Sequence, residues 1–357
     1  MKKTCNKDES ADTIYIIRSA KERKNNQIMK KKLQISCLLV TCLCLFSVCA
    51  GKKPDVPGSV RIAVIKGPSS IGMVKFMEEA DGGKILTNKF IFEIFASADE
   101  IVPKIVQGQI DIAAVPPNLS SVLYNNTHGM VKVIVVSTLG IMYVVENGET
   151  ITSLNDLRGR TILAGFKGKS PEYDFKFILN ANGIDSEKDL AIEWKSEHTE
   201  CVAALAANKN TIVVLPQPFV TTAMMLNSDI RIAIDLNKEW EALQEKSGSR
   251  SALITGVLIA RKEFIEKNPG AVIDFLNRYA ASVEYANNYI DETAVLTGQY
   301  GIIPQAAAQR AIPFCNITFI EGREMMDKLS GYLRVLYEQN PQSVGGVLPN
   351  EEFYYIR

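Results

Sequence analysis

The chain has 357 residues, of which 46% are hydrophobic, and its 40 Lys and Arg balance its 40 Asp and Glu. That length exceeds one typical hydrophobic core, so we expect two lobes. Ten basic and four acidic groups fall in residues 1–32, which leaves residues 33–357 with a net charge of −6. A mildly acidic main portion argues against nucleic acid as a partner.

Residues 29–50 predict a signal peptide. The basic run Lys30–Lys32 precedes an uncharged stretch from residue 33 to residue 51, and this stretch ends in small residues. Such an order is typical of secretory signals. The stretch is also long enough for a membrane-spanning helix, but the polar residues within it disfavour such a helix. Residues 1–28 are polar and of mixed charge, so we expect a non-native or disordered extension, with translation starting at Met29.

The segment Leu45-Phe46-Ser47-Val48-Cys49 resembles a bacterial lipobox, although Val48 is larger than usual before the cysteine. We expect lipidation at Cys49, which would tether the protein outside the membrane without spanning it. Plain cleavage nearby is the alternative and would give a secreted or periplasmic protein. After Cys49 only Cys201 and Cys315 remain, which allows one bridge or two buried thiols but no disulfide framework.

Short apolar strands alternate with helical patterns through most of the chain. The strand-like runs are 60–66, 90–96, 110–115, 131–137, 141–145, 161–165, 191–195, 211–215, 230–235 and 254–260. This alternation predicts βαβ units and an α/β fold with mainly parallel sheets. After residue 261 we expect only helices, one capped by Asn268 and another over about 321–339.

Several of these strands end in loops of small and polar residues. In open α/β sheets, the crevice at the carboxyl ends of the strands binds ligands. The loop from Gly165 to Ser170 leads into a helix that we expect Ser170 to cap, with Pro171 in its first turn. Free backbone N–H groups and two lysines there suit an anion. The loop ends like a nucleotide-binding P-loop, but Leu163 stands where the first glycine is required, so that interpretation fails.

Residues suited to catalysis are few. After the signal segment the only histidines are His128, in a predicted turn, and His198, which follows a strand and fits a cleft or a plain helix start. We find no nucleophile elbow, no triad and no metal-ligand spacing. We therefore predict a binding protein without enzymatic activity, metal or cofactor.

Four segments together resemble the solute-binding proteins of ABC importers, in the branch for nitrate, sulfonate, taurine and thiamine precursors. They are FIFEIFASADEIVPKIVQGQIDIAAVPPN (90–118), SLNDLRGRTI (153–162), LPQPFVTTAM (215–224) and GVLIARKEFIEKNP (256–269). The third segment has Gln217 where the family often has an acid. The resemblance covers about residues 58–345.

The resemblance implies a two-lobed, type II periplasmic-binding-protein fold. Lobe I would comprise 58–147 plus 255–357, and lobe II would comprise 148–254. A monomer would capture a small, anionic or heteroaromatic solute as the lobes close, then deliver it to a membrane permease with its ATPase. The resemblance also predicts a binding site formed by loop residues at the strand ends. These are Pro68, Ser69, Ser70, Ser97, Ala98, Pro117, Asn118, Ser137, Thr138, Lys167, Gly168, Lys169, Ser170, Tyr173, His198, Gln217, Phe219 and Thr255.

Two alternatives stay open. An enzyme on the same fold would act in thiamine-pyrimidine or menaquinone biosynthesis, but the iron-binding cysteine cluster of such synthases is missing after the signal segment. A sensor domain would need a retained transmembrane helix and a signalling module, and neither is visible. The binding protein is the function that the sequence favours.

Overall fold

The computed structural model describes residues 58–165 and 167–357. The predictions for residues 1–28, for the signal segment 29–50 and for lipidation at Cys49 lie outside the described residues. The described residues belong to one compact unit. No helix within the described ranges has the length and hydrophobicity to cross a membrane.

The described residues contain eleven strands in two sheets. The strands are β1 (Ser59–Ile65), β2 (Lys89–Phe95), β3 (Ile112–Val115), β4 (Val131–Leu139), β5 (Met142–Asn147), β6 (Thr161–Gly165), β7 (Ala191–Lys195), β8 (Ile212–Pro216), β9 (Ile230–Asp235), β10 (Ile254–Arg261) and β11 (Ile317–Ile320). All ten predicted strands are present. The expectation of helices alone after residue 261 is wrong at β11, because four residues are too few for a periodic signal.

Each sheet has three parallel strands at one side and antiparallel strands at the other. The six-stranded sheet has the order β11-β4-β10-β3-β1-β2, in which β1 runs parallel to β2 and β3. The five-stranded sheet has the order β7-β6-β8-β5-β9, in which β6 runs parallel to β7 and β8. Strands β10 and β5 pair antiparallel in their respective sheets. The predicted α/β class is confirmed.

Helices follow most strands. They are α1 (Pro68–Ile71), α2 (Val74–Asp81), α3 (Ala98–Val106), α4 (Pro117–Asn126), α5 (Ser170–Ala181), α6 (His198–Ala207), α7 (Phe219–Leu226), α8 (Leu236–Ser247), α9 (Lys262–Lys267), α10 (Pro269–Asn288), α11 (Ile290–Gln299), α12 (Gln305–Ala311) and α13 (Gly322–Gln339). Asn268 stands at the N-cap of α10, as predicted. The helical C-terminal region is confirmed, with β11 as its one strand among the described residues.

The chain passes between the sheets at two crossings, β4 to β5 and α8 to β10. Gly140 lies in the first crossing, where an added Cβ would lie 2.6 Å from Leu253 Cδ2 and 2.7 Å from Asn237 Oδ1. Only glycine permits that close approach of the two crossings. The lobe limits at residues 147 and 254 stay a prediction.

Helix α13 joins the C-terminal region to the helices of the five-stranded sheet. Its Tyr332 ring lies 5.7 Å from the Trp240 ring of α8, which in turn lies 4.7 Å from the Phe177 ring of α5. Trp240 and Tyr332 are fully buried. One hydrophobic cluster therefore continues from the six-stranded sheet into the helices of the other sheet. Cys201 and Cys315 are both buried free thiols, so no bridge joins them.

Candidate functional site

Loops at the strand ends of both sheets surround a cavity of about 560 Å³. The six-stranded side contributes the ends of β1, β2 and β3 and part of β10. The five-stranded side contributes the ends of β6, β7 and β8 and the start of β5. The volume of this cavity is within the range of small-molecule sites. Tyr332 of α13 also lines it.

Many of the residues expected to bind a ligand line this cavity. They are Pro68, Ser97, Ala98, Pro117, Asn118, Lys169, Ser170, His198, Gln217, Phe219 and Thr255. Ser69 and Thr138 line a smaller adjoining cavity of about 180 Å³. Ser70, Ser137, Lys167, Gly168 and Tyr173 lie outside both linings. Ligand contact by any of these residues stays a prediction.

The hydroxyl groups of the six-stranded side bond to one another. Ser69 Oγ lies 3.0 Å from Ser137 Oγ and 3.1 Å from Thr138 Oγ1. Ser70 Oγ donates to the Gly67 carbonyl at 2.8 Å and accepts from the Gly67 N–H at 3.1 Å. These hydroxyls therefore hold the loop after β1 in place.

Helix starts supply the other polar atoms of the six-stranded side. Ser97 is the N-cap of α3, and its backbone N–H donates to Glu100 Oε1 at 3.2 Å. Pro117 opens α4, where a missing N–H removes no helical bond. Asn118 follows it and presents its amide to the cavity lining.

A hydrogen bond between two helix starts joins the two sides of the cavity. The Ser170 hydroxyl donates to Asn118 Oδ1 at 2.8 Å. The prediction that Ser170 caps α5 is wrong, because Lys169 is the N-cap and Ser170 is the first helical residue. The expected anion-binding start of α5 is also partly occupied, since the Gly168 N–H donates to Glu172 Oε2 at 2.5 Å.

Tyr173 serves the C-terminal region rather than the cavity. Its hydroxyl accepts from Asn340 Nδ2 at 2.8 Å, and its carbonyl accepts from Gln339 Nε2 at 3.1 Å. The side chain one position later, Asp174, lines the cavity instead. Asp174 stands four residues after Ser170, a spacing that places both on one helix face.

Asp174 is a deeply buried carboxyl group of the lining. Its side chain is 6% exposed, and Oδ2 accepts from the Tyr332 hydroxyl at 3.2 Å. Oδ1 has no hydrogen-bond partner among the described residues. Burial raises the pKa of this carboxyl well above its ordinary value, and the bond from Tyr332 offsets only part of that rise.

Gln217 is buried at the end of β8. Its Oε1 accepts from the Thr221 N–H at 3.3 Å and from Thr221 Oγ1 at 2.8 Å. Its Nε2 is buried and has no partner among the described residues. Because a backbone N–H can only donate, the contact with Thr221 fixes which end of the amide is the oxygen.

His198 and Phe219 form an aromatic part of the five-stranded side. Their rings lie 4.9 Å apart at an angle of 51°. Burial, and secondly the Lys169 charge, lower the pKa of His198 to about 4, so the imidazole is neutral at pH 7. A Cβ at position 165 would lie 2.7 Å from His198 Nδ1, which explains the glycine at the end of β6.

The charges of the lining are unevenly placed. Lys66, Lys169 and Asp99 are exposed, whereas Asp174 and His198 are buried. No group of three or more His, Cys, Asp or Glu suited to a metal ion occurs in the described ranges. The buried polar groups of the lining therefore include the Asp174 carboxyl, the neutral His198 imidazole and the Gln217 amide, besides the Ser170 and Tyr332 hydroxyls.

Among the buried polar residues of the lining, Asp174 and Tyr332 were not part of the predicted site. The helical spacing from Ser170 could have identified Asp174. Tyr332 lies 158 residues further along the chain, and no local pattern connects the two.

Comparisons with known proteins agree with this architecture. Residues 129–293 match the family model described as NMT1/THI5 like. A search of curated proteins finds no match. Among solved structures, an ABC transporter protein from Parabacteroides distasonis is 23% identical with a TM-score of 0.70, and the alignment covers 84% of this chain and 99% of that one.

Two further structures are similar at lower identity. The periplasmic aliphatic sulphonate-binding protein SsuA from Escherichia coli is 14% identical with a TM-score of 0.65, covering 84% of this chain and 92% of SsuA. The periplasmic nitrate-binding protein NrtA from Synechocystis is 13% identical with a TM-score of 0.53, covering 83% and 84%. The resemblance identified in the sequence is confirmed: the chain has the fold of the periplasmic binding proteins of ABC transporters, and its residues 129–293 match the NMT1/THI5 like family.

Proposed function

We propose that this protein is the substrate-binding component of an ABC importer. It holds a small organic solute in the 560 Å³ cavity and delivers it to a membrane permease with its ATPase. The observation that carries the proposal is the composition of the lining, which comes from strand-end loops of both sheets. A cavity built from two sheets can enclose a ligand when they approach and release it when they separate.

The Ser170–Asn118 hydrogen bond supports this motion. It joins the start of α5 to the start of α4, so it can form only while the two sides are close together. A bond of two neutral groups adds about 1 kcal/mol, which is small enough for ligand exchange to break it. The C-terminal helix α13 would act with lobe I, which comprises 58–147 plus 255–357, and its Tyr332 contacts Asp174 in lobe II (148–254).

We also propose that the protein works as a monomer outside the cytoplasmic membrane. A lipid on Cys49 would anchor it there. In cells that express the full chain, Cys49→Ser should move the protein from the membrane fraction to the soluble extracytoplasmic fraction. Retention of the variant in the membrane fraction would show that another segment anchors it.

Ligand capture can be tested without knowing the ligand. The full chain is purified, and native mass spectrometry measures small molecules bound before and after denaturation. We expect one solute per chain, recovered unchanged. Ala98→Trp should exclude it by filling the cavity, whereas Ala306→Trp, at an exposed position of α12, should retain it. An empty wild-type protein that also binds nothing in a metabolite screen would contradict the proposal.

An enzyme of thiamine-pyrimidine or menaquinone biosynthesis is the second candidate. The observation that favours it is the pair of perturbed groups in one cavity, a carboxyl whose pKa is raised and an imidazole whose pKa is lowered to about 4. Such pairs are common in acid–base catalysis. Recovery of a chemically altered solute after incubation, abolished by His198→Gln, would favour the enzyme over the carrier.

A further inference from the structure

Two buried side chains of the five-stranded side each keep one polar atom without a partner among the described residues. They are Asp174, 6% exposed, through Oδ1, and Gln217, 2% exposed, through Nε2. Both side chains line the cavity. Buried polar atoms without partners are uncommon in folded proteins, and a ligand is one of the explanations for them.

The two atoms are of opposite kinds. Gln217 Nε2 carries hydrogens and donates, because its own Oε1 already accepts twice from Thr221. Asp174 Oδ1 is the acceptor oxygen, because Oδ2 is the one that meets the Tyr332 hydroxyl. The two residues follow β6 and β8, which are neighbouring strands of the same sheet. Both residues also line the same cavity, so a single solute can contact both.

The charges around these atoms disfavour an anion at this depth. The cations of the lining, Lys66 and Lys169, are exposed, and no arginine lines the cavity. An anionic head group beside Asp174 would meet a carboxyl and the neutral His198 without a buried cation to offset it. Burying a charge without a partner is strongly unfavourable.

We propose that Asp174 and Gln217 together bind an uncharged organic solute that carries an N–H donor next to a hydrogen-bond acceptor, as in an amide, a lactam or a urea. The solute N–H donates to Asp174 Oδ1, and the solute oxygen or ring nitrogen accepts from Gln217 Nε2. The His198 and Phe219 rings cover an adjoining flat part of the solute. This assignment rests on the proposed function and adds the chemical class of the ligand.

The burial of Asp174 agrees with this ligand class. Burial raises the pKa of the carboxyl, so a negative charge on the solute beside it would be unfavourable, whereas an uncharged N–H group can donate to Oδ1. The described group that contacts it is the Tyr332 hydroxyl of α13, which also lies beside Ser170 at the start of α5. An asparagine at position 174 would keep the acceptor and the contact with Tyr332.

Matched pairs of compounds test the proposal with the full-length protein. The probes are benzamide and benzoate, nicotinamide and nicotinate, and benzenesulfonamide and benzenesulfonate, with nitrate as the bare anion. Titration calorimetry measures each dissociation constant. We expect the uncharged member of at least one pair to bind at least about 10-fold more tightly than its anion, the effect of one hydrogen bond gained or lost.

Variants then assign the effect to the two residues. Asp174→Leu and Gln217→Met should each weaken the uncharged probe about 10-fold, whereas Asp174→Asn should retain its affinity within about 3-fold. Thr297→Val is the matched control, because Thr297 Oγ1 is also buried with no partner in the described part of the chain but lies on α11, outside the cavity. Thermal unfolding verifies that each variant is folded.

Each outcome either supports or overturns the assignment of Asp174 and Gln217 to an uncharged solute. Tighter binding of an uncharged probe that Asp174→Leu and Gln217→Met weaken supports the assignment. Binding of the anions alone overturns it and leaves solute capture intact. Equal binding by wild type and variants also overturns it. A wild-type protein that binds none of the probes rejects the ligand class, while the co-purified solute independently decides whether the protein is a carrier.

Discussion

The two sides of the cavity satisfy their polar atoms in different ways. On the six-stranded side, Ser69, Ser137 and Thr138 bond to one another, and Ser70 bonds to the backbone of its own loop. On the five-stranded side, Asp174 and Gln217 each retain a buried atom without a partner among the described residues. Closed networks favour rigidity, whereas open buried atoms favour a ligand.

This difference indicates that the six-stranded side is a rigid frame and that the five-stranded side recognises the ligand. The six-stranded side is held by short contacts between hydroxyls and a close approach at Gly256, where an added Cβ would lie 2.6 Å from Ser69 Oγ. The five-stranded side contributes two lining groups whose pKa values are perturbed, Asp174 and His198. We therefore expect substitutions on the first to change stability, and substitutions on the second to change binding and pH dependence.

The largest expected effect concerns His198. Its pKa is about 4 in the folded protein and 6.5 when unfolded, so the unfolded state binds a proton first as the pH falls. The wild type should lose up to about 3 kcal/mol of unfolding free energy between pH 6.5 and 4 through this residue. Urea denaturation across that range should show a smaller loss for His198→Gln.

His128→Asn is the control for this experiment, because His128 lies in an exposed turn outside the cavity and the variant keeps His198. It should follow the wild-type profile. If His198→Gln loses as much unfolding free energy as the wild type between pH 6.5 and 4, the buried imidazole is not the source of this pH dependence.

The next largest change in unfolding free energy is expected on the six-stranded side, at the hydroxyl network beside Gly256. Gly256→Ala should lower the unfolding free energy by about 2 kcal/mol, because the new Cβ would press on Ser69 Oγ at 2.6 Å and Ser137 Oγ at 3.0 Å. Gly270→Ala in α10 is the matched control, since nothing lies within 4 Å of its added Cβ. The control should be neutral or slightly stabilising. Equal effects in urea denaturation would mean that the hydroxyl network is not rigid.

The hydrogen bond between the sides should have a smaller effect. Ser170→Ala removes the donor to Asn118 Oδ1 and should lower the unfolding free energy by about 1 kcal/mol. A double-mutant cycle with Asn118→Ala isolates the pair, and we expect a coupling energy of about 1 kcal/mol. Additive effects would indicate that the two sides do not hold each other through this bond.

The smallest effect is expected at the exposed rim. Lys169→Ala should change the unfolding free energy by less than about 0.5 kcal/mol, because the side chain is exposed. Calorimetry should find the affinity for an uncharged probe such as benzamide unchanged within about 2-fold. A large loss would place recognition at the rim instead of at Asp174 and Gln217.

Local patterns predicted much of the fold and part of the site. Strand β1 and helix α10 were recognisable because apolar spacing and the Asn268-Pro269 start depend on neighbouring residues only. The short strand β11 was missed because its pairing with β4 comes from a distant part of the chain. Pro68, Ser97 and Asn118 were placed at the cavity because the end of a strand is visible in the sequence.

The sequence by itself determined the α/β alternation and the loops that could meet a ligand, because both depend on periodicity and turn residues. Only the tertiary structure decided which polar groups near those loops have no hydrogen-bond partner among the described residues. Ser69 is satisfied by Ser137, 68 residues away, while Asp174 meets Tyr332, 158 residues away, and keeps one oxygen open. Hydrogen-bond satisfaction depends on partners that folding brings together, and sequence spacing carries no record of them.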